Sequence, residues 1–96
     1  MFSVGRMNLR YHPKEQVLGV ELDGLTKAYP FTELVQVKSP FKDKIGKKVV
    51  TVVYDSKSRT ATIQDASGKE LPSVVGFWFA WYAFHKDTRV YTAPKN

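Results

Sequence analysis

Residues 76–86 read GFWFAWYAFHK, and six of the eight positions from Phe77 to Phe84 are Phe, Trp or Tyr. The conformation of this run decides the fold. As a strand over 74–84, it would place Val74, Gly76, Trp78, Ala80, Tyr82 and Phe84 on one face. Val75, Phe77, Phe79, Trp81 and Ala83 would lie on the other, so neither face is distinguished. On a helix, turning about 100° per residue, Gly76, Ala80 and Ala83 fall within about 60° of one another. The small residues then form one stripe, fit for close approach to a sheet, and the rings fan out on either side. Ser73 is a candidate N-cap after Pro72, and His85 and Lys86 stand where cations favour a helix C-terminus. The pattern predicts a helix over Val74–His85.

Upstream, Val17 to Tyr29 reads as a hairpin. Leu18, Val20 and Leu22 alternate with Val17, Gly19 and Glu21, Asp23-Gly24 suits a tight turn, and Leu25, Lys27 and Tyr29 alternate on the return. Pro30 to Val37 predicts one short helix, with proline in its first turn, Glu33 favouring its dipole, and Ser39-Pro40 closing it. Lys38 to Lys48, KSPFKDKIGKK, holds five lysines in eleven residues and reads as a loop because of Pro40 and Gly46. Val49 to Tyr54 (VVTVVY) predicts a central strand, apolar on both faces. A turn at Asp55–Ser58 leads into a returning strand over Arg59–Gln64, Ser67-Gly68 marks another turn, and Lys69–Leu71 and Arg89–Thr92 read as brief strands. The expected class is α+β: a small antiparallel sheet built from two β-hairpins, one short helix, and a C-terminal aromatic-rich helix packed on the sheet.

The 96 residues make one domain, 1–96, with 1–15 a lead-in expected to be partly flexible. A hydrophobic fraction of 43% and a charged fraction of 25% are those of a globular protein, and aromatics at 14% supply large buried area in a small interior. With no cysteine there is no disulfide, thiolate nucleophile or sulfur-ligated metal, and the redox compartment cannot be read. No signal-peptide pattern opens the chain, and no run of about 18 apolar residues exists to span a bilayer. The chain is expected to be either cytoplasmic or a domain cut from a longer exported chain.

Three classes of site follow. The aromatic segment supplies Trp78, Phe79, Trp81, Tyr82, Phe84 and His85, some for core and some for contact with another protein or with the rest of a longer polypeptide. One helix on one sheet buries about half its circumference, so rings remain for an interface. The net charge of +6 brings in anions. Lys38, Lys42, Lys44, Lys47 and Lys48 form the candidate patch, but no nucleic-acid recognition motif accompanies them, which makes nucleic acid the weaker reading. An enzyme would use His85 with Asp87 or Asp55. His12 and His85 are the only histidines, with no carboxylate or second imidazole in ligand spacing, so neither metal nor cofactor is expected.

Three segments in order carry a resemblance: Val17-Leu18-Gly19-Val20 with Asp23-Gly24 and Lys27-Ala28-Tyr29-Pro30; Val50 to Asp55, ending in VVYD; and WFAWYAFHKDTRVY, Trp78 to Tyr91. Together they resemble the prokaryotic family catalogued as domain of unknown function 3179. Members often carry cysteines after the VVYD strand and a longer middle region, and this chain has neither. Lys86 stands where proline is frequent, and Lys42 where asparagine often precedes the aspartate that Asp43 matches. The resemblance implies a shortened or excised form of an envelope-associated protein, lacking any chemistry that those cysteines perform.

Overall fold

The computed structural model describes residues 12–94. The chain builds β1 (Gln16–Leu22), β2 (Leu25–Pro30), α1 (Phe31–Leu34), β3 (Phe41–Ile45), β4 (Lys48–Asp55), β5 (Thr60–Asp65), β6 (Ser73–Phe77), α2 (Trp78–Phe84) and β7 (Arg89–Val90). The α+β class, the antiparallel hairpins and the C-terminal aromatic helix on a sheet are as the sequence implied. The first hairpin turns at Asp23 and Gly24, whose φ of 54° and 79° place both central residues in the left-handed region that twist-matched turns require. Of the lead-in, residues 1–11 lie outside the described residues.

The two hairpins do not share one sheet. Strands β6-β1-β2-β7 form a four-stranded sheet, with β7 parallel to β2, and β3-β4-β5 form a separate three-stranded sheet with β4 at its centre. The two pack face to face. Leu18, Val20 and Tyr29 from the first meet Val50, Val52, Tyr54 and Ile63 from the second in the larger core, joined by Phe31, Leu34 and Tyr91. Edge-on contact between Phe31 and Tyr54, 5.1 Å between centroids, and the Tyr29–Tyr91 pair at 5.4 Å fill the space between layers. The opposite face of the first sheet carries Val17 and Ala28, on which α2 lays Trp78 and Tyr82.

Two expectations are corrected. Lys38–Lys48 is not a loop: Phe41–Ile45 forms β3, paired with β4 in register from Phe41↔Val52 to Ile45↔Lys48 around Gly46. Phe41, Asp43 and Ile45 turn inward while Lys42 and Lys44 turn to solvent, a two-residue alternation hidden by the lysine count. Nor is 74–85 one helix. Ser73–Phe77 is extended and pairs antiparallel with β1, from Gln16↔Phe77 to Val20↔Ser73, and the helix begins only at Trp78. Val74-Val75 favours extension, and β1 offers an open edge, so pairing across the sheet outweighs the helical stripe. Ser73 therefore caps nothing. The first helical N–H groups find backbone partners instead: Trp78 N donates to the Glu15 carbonyl at 2.7 Å and Phe79 N to that of Pro13 at 3.0 Å.

The close approach also sits elsewhere than expected. Gly76 belongs to β6, Ala80 is half-buried and Ala83 is exposed. The glycine that seats the helix is Gly19 on β1, where an added Cβ would overlap the six-membered ring of Trp81. The indole is held by its Nε1–H donating to Thr88 Oγ1 at 2.9 Å and by the His85 imidazole, 4.1 Å away between ring centroids.

Candidate interaction surface

Seven large apolar residues stand exposed among the described ones, and five of them, Val74, Val75, Phe77, Phe79 and Phe84, fall within residues 74–84. Phe84 is 83% exposed and Phe79 52%. The reason is topological. β6 has β1 on one side only, and α2 is a single layer, so each presents one face to the protein and one outward. Phe77 and Phe79 stack at 6.2 Å across the junction of strand and helix. Beside them runs an apolar groove of about 240 Å³ lined by Val17, Val74, Gly76, Ala80, Trp81 and Phe84. Residues 71–85 contain no Asp, Glu, Lys or Arg in a chain where those types make up a quarter. Exposed apolar, uncharged side chains clustered in this way make the β6–α2 segment the candidate surface for a partner or ligand.

The six predicted aromatic-segment residues divide cleanly. Trp78 and Tyr82, stacked at 5.4 Å, are core. Trp81 and His85 are half-buried and wall the groove, and Phe79 and Phe84 project outward. Val74, Val75 and Phe77 were missed, because a helix over this segment assigns them no shared outer surface. The signal that could have found them is the β-branched pair followed by Gly-Phe.

All five predicted anion-patch lysines are exposed. Lys42 and Lys44 share the outer face of β3, and Lys48 faces Asp23 at 3.7 Å. The lysine that the fold engages is Lys27. Its ammonium pairs with Asp43 Oδ2 at 2.7 Å and lies 5.5 and 5.8 Å from the ring centroids of Tyr29 and Tyr91. The Tyr29 hydroxyl donates to the same carboxylate oxygen at 2.8 Å. Burial first, then the Asp43 charge and this hydrogen bond, hold the Tyr29 phenol far above its ordinary value of 10.0. This cluster ties β2 to β3 and thus one sheet to the other.

The predicted catalytic groups are placed by local structure. Asp55 Oδ1 accepts from the Lys57 amide within its own turn at 2.9 Å, and Asp87 lies exposed in the turn after His85. His85 rests its ring on Trp81 while its carbonyl accepts from Thr88 N at 3.1 Å. Among the described residues no group of three or more His, Cys, Asp or Glu is placed to hold a metal ion. Likewise, no described helix is long and apolar enough to cross a membrane.

A profile of the family described as Protein of unknown function (DUF3179) matches residues 1–70, and the chain belongs to that family. No curated protein matches, and no solved structure matches. The β6–α2 surface, residues 73–84, follows the matched span.

Proposed function

We propose that this member of the DUF3179 family is a non-catalytic protein-interaction domain that docks its partner on the β6–α2 surface. The observation that carries the reading is the clustering of exposed Val74, Val75, Phe77, Phe79 and Phe84 along a segment without a single formal charge. In a chain of +6, such a segment has no part in charge-driven solubility, and apolar burial is what it contributes. The carboxylates support the non-catalytic part, since most are engaged in holding the backbone or the sheets. Glu15 accepts from Thr32 N, Glu33 from Ala93 N, Asp65 from Ser67 and Lys69 amides, and Asp43 is shared by Lys27 and Tyr29.

Site-specific photo-crosslinking in the source organism tests this. A benzophenone side chain at position 79 or 84 is expected to give adducts with one recurring protein, identified by mass spectrometry. The same probe at position 57, on the turn between β4 and β5, is expected to give none. Equal labelling from all three positions, or no adduct from 79 and 84, overturns the reading.

A further inference from the structure

The two sheets have four edges, and the fold guards three. β7 is two residues long. β3 bears Lys42 and Lys44, which keep another strand away. The outer side of β5 is occupied by the Gln64↔Glu70 bridge and by Leu71 N donating to the Ile63 carbonyl at 2.8 Å. β6 has none of these devices. Ser73–Phe77 contains no charge and no proline, its register with β1 is unbroken by a bulge, and no described residue pairs with its outer side.

The register states which backbone groups face outward. Trp78 N donates to the Glu15 carbonyl one step beyond the Gln16↔Phe77 pair, so that position is a hydrogen-bonded one. Antiparallel pairs alternate, which turns the N–H and C=O of Phe77, Val75 and Ser73 away from β1. Three residues at alternate positions thus present unpaired donors and acceptors at the rim of the apolar surface.

Resting on the docking reading above, we propose that the occupant of this edge is a second copy of the chain, with β6 antiparallel to β6 about a two-fold axis at Val75. That register is self-complementary. Val75 opposes its own equivalent, and Ser73 opposes Phe77, so the three outward-facing positions exchange about six backbone hydrogen bonds. On the α2 face each Val74 opposes the other copy's Gly76. An added Cβ at Gly76 meets nothing within 4 Å, so the incoming valine enters open space at the 240 Å³ groove. The segment's lack of charge lets a +6 chain meet itself without like charges across the contact. The paired copies form one sheet continuous across the axis.

The full chain has no cysteine, which makes the test direct. In a hydrogen-bonded antiparallel pair the Cα atoms lie about 5.5 Å apart, within disulfide reach. Val75→Cys is expected to form an intermolecular disulfide under mild oxidation, while Val49→Cys, on the exposed side of β4, is expected to remain monomeric. In sedimentation velocity the wild-type protein is expected to show a concentration-dependent dimer. Val75→Lys is expected to weaken it at least about tenfold with an unchanged near-UV spectrum, and Val35→Lys to leave it intact. A dimer indifferent to Val75→Lys with no disulfide at position 75 overturns the proposal. So does a monomer whose Val75 amide becomes exchangeable only after residues 1–11 are deleted. A monomer that still crosslinks another protein from position 84 ends the self-pairing and leaves the docking reading standing. A monomer without such adducts ends both.

Discussion

Gly19 on β1 and Gly76 on β6 lie two register positions apart on one face of the same strand pair, and they carry opposite demands. At Gly19 a methyl group would collide with the Trp81 ring, which cannot retreat without losing its bond to Thr88 and its contact with His85. Gly19→Ala is expected to lower stability by about 1–3 kcal/mol, read as a fall in the urea midpoint. Gly76→Ala adds its methyl to open space and is expected to stay within about 0.5 kcal/mol of wild type. The aromatic residues divide in the same way. Trp78→Ala removes a side chain with no exposed surface and is expected to cost about 3–5 kcal/mol. Phe84→Ser is expected to change the midpoint by less than about 0.5 kcal/mol, because that ring contributes little to the protein's own core. A large loss from Phe84→Ser would mean that the ring packs on the fold, and the docking surface would shrink accordingly.

At the scale of elements, β6 and α2 are one continuous stretch in two conformations, and the junction is set by carbonyls from the chain before β1. Glu15 and Pro13 receive the first helical N–H groups, so the helix starts level with the first residue of β1, where the antiparallel pairing runs out. Amide exchange tests the register. In dilute protein, Val74 and Gly76, bonded to β1, are expected to be protected, while Ser73, Val75 and Phe77 exchange faster by about tenfold or more. At high concentration the second set is expected to slow. Uniform protection along β6 at every dilution would place another partner on the edge. Much of this level was legible in the sequence: the Asp23-Gly24 hairpin, the VVTVVY strand and its return need only local alternation and turn chemistry. The strand inside KSPFKDKIGKK and the strand at the head of the aromatic run were not. The first is a local hairpin with β4 whose alternation is hidden by Pro40, Gly46 and the lysine count, and the second owes its conformation to β1, a neighbour distant in sequence.

The whole molecule is two sheets locked by few polar ties. Lys27, Asp43 and Tyr29 form one, and the Arg59 guanidinium donating to Gln16 Oε1 at 3.2 and 2.8 Å forms another. The first makes stability sensitive to alkali. Tyr29 is held protonated in the folded state far above 10.0, and Tyr91 is also raised, chiefly by burial and then by Asp43. Above about pH 10 the unfolded chain releases phenolic protons that the folded chain retains. The stabilisation is therefore complete below that pH and declines as pH rises further. The urea midpoint is expected to fall from about pH 9 to about pH 11, and Tyr29→Phe is expected to flatten part of that slope. An identical slope in the variant would show that Tyr29 ionises as freely in the fold as outside it.

What the sequence alone determined is the set of local choices: α+β composition, positions of the tight turns, the central strand, and a C-terminal cluster of rings too large for one small interior. These depend on contacts a few residues apart, and spacing reports them. Which rings are core and which face outward was decided by tertiary structure, because β1 takes Ser73–Phe77 as a neighbouring strand and shortens the helix to Trp78–Phe84. An open strand edge is a property of the assembled sheet, set by which strands fail to meet, and no period within the chain encodes it.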